Sequence, residues 1–576
     1  MGLRIAAYIR WLSVAATPLL MGACTADVNG GHPSTNAAAG QATSTGGAAT
    51  STGGSGGTPT VTTSGGAGPV TQACTQGVAM ANARIWRITD TQYINAVRQV
   101  FGVTAGPTIT EADSGAADYT NLSELTIVNA SIVGKYQVAA RDIARQAVTS
   151  HYSTFMACGD SEVCAQQFVR NRIARAFGRR LDDTEVAGYI DVFRKGVTQS
   201  PQDGVRLMIE AALQSPSFIY RTELGKPTQG GPTGQVTLTA HEAASMISYS
   251  LTNSVPDQQL WDKADTGALL DPAVLSAEVD RLLDLPETKA NLADLGGYWL
   301  GVHKLDRTEK DLTKFPEFTD QVKADLQQSS RLFVQDLLAN GKVADVVTSK
   351  RLFLNQSLAT LYGIPGVTGT DMQAVDTTLP ERSNGILSQP GMLTAYSRVD
   401  RGDPIHRGLF SFYALVCGGA IPPPPKGALD VAAGFPPNQT ERQLAGLRAG
   451  IALCQSCHSR FDPLGLATER YDPIGRYHET DANGPIDQSS TIVTLGPDLD
   501  GPITGEADLA AKLAQGRRLS DCAVQNLSMY TLGHDIIGDT SCALQTVKDT
   551  LATTGKFRDF YKALLTSPAF ILRDVK

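Results

Sequence analysis

Apolar residues recur every three or four positions along most of this chain, a spacing that predicts helices rather than strands. The first clear run follows Thr89-Asp90-Thr91-Gln92, a capping-box pattern. Tyr93, Val97, Val100 and Phe101 then fall on one helical face, and Gly102 stops the run. Between 166 and 195, Phe168, Ile173, Phe177, Val186, Ile190 and Phe193 mark two helices separated by Arg179-Arg180-Leu181-Asp182-Asp183. Further helices are expected over 204–213, 241–251, 271–283, 290–300 and, in pieces, 318–361. Pro422 to Pro425 predicts a polyproline II segment. From 486 to 502 the pattern changes to alternating Thr, Val and Gly, which predicts a short β-hairpin, and helices return from Ala507. The expected fold class is mainly α, a multi-module helical protein with one small β-hairpin.

One stretch occurs twice. Residues 212–221 read ALQSPSFIYR and 564–573 read LLTSPAFILR, sharing Leu, Ser, Pro, Phe, Ile and Arg at equivalent places. Each follows an amphipathic helix, and proline disfavours helix at the residue before it. A duplicated helix–Ser-Pro–turn unit is expected.

The length of 576 residues exceeds what one core usually supports, so several modules are expected. With 49 basic and 57 acidic side chains the net charge is −8, which argues against a nucleic-acid partner. The N-terminus follows different rules. Arg4 and Arg10 precede an apolar run from Trp11 to Met21, and Leu20-Met21-Gly22-Ala23-Cys24 resembles a bacterial lipobox. Residues 1–23 are therefore expected to be a lipoprotein signal peptide, with Cys24 the lipidated first residue of an exported, membrane-anchored protein. The location implied is the outer membrane or cell envelope of a bacterium, facing periplasm or surface. Residues 24–76 are Gly, Ser, Thr and Ala with few large apolar side chains, too little to build a core. They read as a tether with a reach of about 40 Å. No later apolar run approaches the roughly 20 residues of a membrane span.

The chain has nine cysteines, at 24, 74, 158, 164, 417, 454, 457, 522 and 542. Export favours disulfides. Setting aside Cys24 and the pair Cys454/Cys457 leaves six, enough for three bridges. Cys158–Cys164 and Cys522–Cys542 are the nearest pairs and the preferred ones; Cys74–Cys417 follows by elimination.

Cys454, Cys457 and His458 form C-x-x-C-H. Covalent haem c needs two thiols to add to its two vinyl groups and an imidazole to take an axial iron position, and this pattern supplies both. The alternatives are a zinc site, in which His478 joins the cysteines, and a plain disulfide, which leaves His458 without a role. A second axial ligand is not evident. Met529 is the foremost candidate, though it lies on an apolar helical pattern that equally reads as core; His534, His478, His406 and Met392 are weaker ones. Downstream, Asp462-Pro463-Leu464-Gly465 and Asp472-Pro473-Ile474-Gly475 read as two turns that fold the chain back, with Glu469 and Arg476 placed to pair. Residues 481–487 faintly resemble a calcium loop but lack its distal Glu. No P-loop, G-x-S-x-G or H-E-x-x-H occurs.

The motif with Asp462, Pro463, Gly465, Glu469, Asp472, Gly475 and Arg476 resembles the signature of large secreted proteins built of consecutive domains of unknown function. These are abundant in planctomycetes and myxobacteria and are called planctomycete cytochrome c-like. Similar stretches are Arg175-Ala176-Phe177-Gly178-Arg179-Arg180-Leu181, Pro404-Ile405-His406-Arg407-Gly408 and Tyr530-Thr531-Leu532-Gly533, after which this chain has His534 where the family usually has Arg. The resemblance implies a cytochrome c-like C-terminal module. Module boundaries are expected at 77–150, 151–228, 235–366, 380–482 (ending in the C-x-x-C-H motif) and 483–576. The leading functional expectation is electron transfer, or redox chemistry, at one covalent haem with an unknown redox partner protein. A peroxidase-like haem enzyme with an open sixth site is the second. A non-haem surface scaffold or carbohydrate-associated binding protein with a structural disulfide is the third.

Overall fold

The computed structural model describes residues 79–103, 121–123, 130–227, 233–436, 439–481, 484–534 and 542–575, all within one compact unit, Gln72–Lys576. The lipobox with Cys24, the tether and Cys74 lie outside the described residues.

The fold is mainly helical with small separate sheets. The helices that matter below are α1 (Asp90–Phe101), α2 (Ala130–Phe155), α3 (Asp183–Val197), α4 (Pro201–Leu213), α5 (Ala240–Thr252), α6 (Pro286–Trp299), α7 (Asp320–Asn340), α8 (Pro404–Phe410), α9 (Glu441–Ala449), α10 (Ala452–Leu466), α11 (Arg517–Leu532) and α12 (Phe557–Leu565). Helix α1 opens on the Thr89/Gln92 capping box and ends at Gly102 in the left-handed region. Helices α4 and α6 begin three or four residues before their apolar patterns, at Pro201 and Pro286. Proline suits the first helical turn because its missing N–H has no intrahelical acceptor there. Among the described residues, no helix is long and apolar enough to cross a membrane.

Two hydrophobic cores form. The smaller gathers α1, α2, α3 and α4 around Tyr93, Phe101, Ile143, Phe168 and Ile209, and reaches Tyr249 on α5 and Trp261. The larger takes α6, α7, α10, α11 and α12, with Leu295, Phe333, Phe461, Leu527 and Phe560 among its members.

Short strands tie distant parts of the sequence together. Ala81–Asn82 (β1) runs parallel to Leu572–Asp574 (β2), which pairs antiparallel with Gln235–Thr237 (β3). Arg84–Arg87 (β4) pairs antiparallel with Tyr220–Glu223 (β5). Ser489–Ile492 (β6) pairs antiparallel with Gly501–Thr504 (β7). The first described strand thus lies beside the last.

The repeated stretch adopts one shape twice. Helix α4 ends at Leu213; Ser215 caps the short helix Pro216–Ile219 through the Ser217 N–H, and strand β5 follows. Helix α12 ends at Leu565; Ser567 caps the 3₁₀ turn Pro568–Ile571 through the Ala569 N–H, and strand β2 follows. The serine accepts a bond that the proline-started turn leaves open.

Candidate functional site

Helix α10 carries Cys454, Cys457 and His458 in its first two turns. Both thiols are free; Cys454 is buried and Cys457 half-buried. Residues three and four apart share a helix face, so both thiols and the imidazole project from neighbouring positions on one side. The His458 ring packs against Phe461, centroids 4.9 Å apart.

His458 is held from behind. Its Nδ1 lies 2.8 Å from Asp462 Oδ1, one helical turn on. The other carboxylate oxygen, Oδ2, accepts from Arg448 Nε on α9, also at 2.8 Å. Asp462 and Arg448 are only 8% and 7% exposed, so the charge pair is nearly dry. A carboxylate on one imidazole nitrogen fixes ring orientation and tautomer, and directs the other nitrogen, Nε2, outward as a ligand. Among the described residues, no three His, Cys, Asp or Glu side chains converge as a metal-ion site requires.

The two Asp-Pro-x-Gly stretches do different work, which corrects the expectation of two turns. The first lies inside α10, with Pro463 in the helix interior. Its Gly465 meets α8: a Cβ there would stand 1.7 Å from the Pro404 carbonyl oxygen, and one on Gly408 would stand 2.2 Å from the Phe461 carbonyl oxygen. The glycines serve a close helix crossing. The second stretch is a turn. Gly475 has φ +80°, its N–H donates to the Asp472 carbonyl, and the Asp472 carboxylate accepts from the N–H groups of Ile474 and Arg476.

Arg476 pairs with Asp472 at 2.7 Å and Glu317 at 2.9 Å, not with Glu469. Asp472 wins because the turn already fixes it beside Arg476. Glu469 Oε2 is instead buried with no hydrogen-bond partner among the described residues. Burial, with help from Glu441, pushes its carboxyl up from 4.5 to about 7.

Two buried arginines fasten this region. Arg407 on α8 donates to the carbonyls of Leu393, Thr468, Tyr471 and Asp472 and to Ser397 Oγ. Arg382 donates to the Gly475 carbonyl and lies over the Tyr362 and Tyr471 rings. Together they clamp the chain on both sides of the second turn.

The other candidates are dispersed. Met529 is 3% exposed on α11 and belongs to the larger core, as does Met392. His406 Nδ1 is held by Asp403 at 2.6 Å. His534 Nε2 lies 2.9 Å from the Met80 carbonyl oxygen. The His478 N–H donates to Arg470. The faint calcium loop includes residues outside those described.

Disulfides join Cys158 to Cys164 and Cys417 to Cys522, with Cα separations of 5.7 and 5.3 Å. The second corrects two expected pairings, Cys522–Cys542 and Cys74–Cys417. Nearness in sequence misled because the π-helical segment Ser411–Leu415 packs on α11, which brings Cys417 to Cys522 across 105 residues.

The sequence marked Asp462 as part of a turn and of the family signature, not as a partner of His458. A carboxylate four residues after His458 was the available signal, hidden by the proline that argued against helix. Arg448 carried no local signal.

Four segments match family models, in chain order. Residues 86–149 match PSD3, Protein of unknown function (DUF1587), and 164–223 match PSD5, Protein of unknown function (DUF1595). Residues 238–364 match PSD4, Protein of unknown function (DUF1592), and 383–481 match PSCyt3, Protein of unknown function (DUF1588). The chain is therefore built of consecutive domains of these families, and the last of them holds the C-x-x-C-H motif. No curated protein and no solved structure matches the chain.

Proposed function

We propose that the chain is an exported, lipid-anchored cytochrome c-like protein that carries one covalent haem and exchanges electrons with a partner protein. In this reading Cys454 and Cys457 form the thioether bonds, His458 Nε2 is the proximal ligand, and Cys24 bears the lipid. The observation that carries it is the arrangement on α10: two free thiols three residues apart, followed by an imidazole whose far nitrogen is already held by Asp462. A plain disulfide is not formed there, and no third and fourth zinc ligand converge among the described residues. The printed name PSCyt3 of the matching domain points the same way.

The haem would supply a one-electron couple. The protein's part is to orient His458 through Asp462, to fix the Asp462 carboxylate through its bond from Arg448, and to bury one thiol edge. Met529, the foremost candidate for the sixth position, is buried in the larger core on α11, so no sixth ligand is assigned. A second reading, a haem enzyme with an open sixth site, draws on the Asp462–His458 pair, since a carboxylate makes imidazole a stronger electron donor. Arg448 draws on the same carboxylate and moderates that push, which favours electron transfer.

The test is export in a bacterial host with haem-attachment machinery, followed by a haem-stained denaturing gel. A stained band at the chain's mass, lost in Cys457→Ser, is expected; a colourless band would overturn the reading. A low-spin six-coordinate spectrum supports electron transfer; a high-spin five-coordinate spectrum supports the enzyme.

A further inference from the structure

A pocket of about 370 Å³ opens far from α10 in sequence, where the corner after α4 meets the start of α5. Its volume lies in the range of small-molecule sites, roughly 300–1,000 Å³. Arg179, Arg221, Lys226, His241, Glu242 and Tyr249 are among the residues lining it.

Arg221 sets it apart. The guanidinium lies over the Trp86 ring at 3.9 Å and the Tyr249 ring at 4.5 Å. The residue is 7% exposed, its guanidinium makes no hydrogen bond among the described residues, and its Nε is buried without a partner among them. A buried guanidinium with five donors ordinarily finds acceptors, because leaving them empty sacrifices its hydration. Ring faces stabilise the charge but accept little of its hydrogen bonding.

The repeat explains why no acceptor remains. Arg221 in β5 and Arg573 in β2 occupy equivalent places in the two copies of the corner, and among the described residues one carboxylate, Glu223, faces both. Arg573 Nε takes Glu223 Oε2 at 2.7 Å, and Arg84 Nε reaches the same oxygen at 3.3 Å. Three buried or half-buried cations thus face one anion. The remaining acids near the pocket are committed. Glu185 pairs with Arg179 at 2.7 Å. Asp265 pairs with His241 and Arg180. Glu242 accepts from the N–H groups of Leu224, Gly225 and Thr239. Lys226, exposed on the same lining, forms no ion pair among the described residues.

We propose that this pocket binds the carboxylate of a small organic acid, with Arg221 as its bidentate anchor and Lys226 as a second cation at the edge. One surplus desolvated cation matches one negative charge. A phosphate dianion would ask for a second buried cation, and Lys226 is in solvent. The planar fork of Arg221 suits a planar carboxylate, and the aromatic lining of Phe177, Phe218 and Tyr249 suits a flat body behind it.

Calorimetric titration of the exported full chain with benzoate, galacturonate and inorganic phosphate tests this, and it reads independently of whether haem is attached. Saturable binding of benzoate or galacturonate at millimolar or lower concentration is expected, at least about tenfold weaker in Arg221→Lys, which keeps the charge but loses the fork. Lys226→Glu, at an exposed position, is expected to weaken the same binding by several-fold with an unchanged circular dichroism spectrum, and it keeps the test decisive should Arg221→Lys not fold. Absence of binding by both carboxylates, binding of phosphate alone, or unchanged carboxylate affinity in either folded variant would overturn the proposal.

Discussion

A carboxylate one turn beyond a histidine can be a helix-surface pair worth a few tenths of a kcal/mol, but Asp462 is not at the surface. It is 8% exposed and shared between His458 and the buried Arg448. Removing its charge strands Arg448, so Asp462→Asn is expected to cost about 3 kcal/mol of stability, read by urea denaturation. Were haem bound as proposed, the same change would weaken the donor strength of His458 and raise the reduction potential. Glu469 is the opposite case: a half-buried carboxyl with one buried oxygen to which no described residue donates, its pKa raised to about 7. In a folded chain that binds the proton more tightly than the unfolded chain, stability is fully present below the ordinary glutamate range and is lost as pH rises towards 7. Glu469→Gln is therefore expected to raise the melting temperature near pH 8, by an amount equivalent to about 2–3 kcal/mol, and to leave it unchanged near pH 4. A melting curve that shifts equally at both pH values would refute the assignment.

Among the elements, the crossing of α8 and α10 has the least room. Gly408 and Gly465 let the backbones touch, and Arg407, on the same helix as Gly408, reaches the carbonyls beyond α10. Gly465→Ala places a methyl within bonding distance of a carbonyl oxygen, so the helices must separate; a loss of about 2–3 kcal/mol is expected by denaturant titration. The helices around this pair were legible in the sequence wherever caps and apolar spacing agreed, as at Thr89–Gln92. They were not legible where a local rule opposed the tertiary contact. Pro463 argued for a turn, and the helix persists because α8 packs along it and because Asp462 bonds on both sides. The equivalence of 212–221 and 564–573 was readable as a repeated pattern; that its two arginines converge on Glu223 was not, since that depends on where β2 and β5 end up.

Across the whole molecule, the Cys417–Cys522 bridge joins the segment before the C-x-x-C-H motif to helix α11. Closing a loop of that length is expected to contribute about 4–5 kcal/mol in the chain-entropy picture. Paired Cys417→Ser and Cys522→Ser substitution should lower the denaturation midpoint accordingly, and non-reducing peptide mapping should recover 417 with 522 and 158 with 164. The sequence by itself determined the helical class, the caps, the repeated corner, and the two thiols and imidazole that stand together, because each is written within a few consecutive residues. Only the tertiary structure decided which cysteines meet, which acid steadies His458, which arginine lies between two rings with no hydrogen bond to its guanidinium among the described residues, and which Asp-Pro-x-Gly turns. Those outcomes depend on groups brought together from distant parts of the chain, where burial makes an unpaired charge costly and a missing side chain the condition for contact.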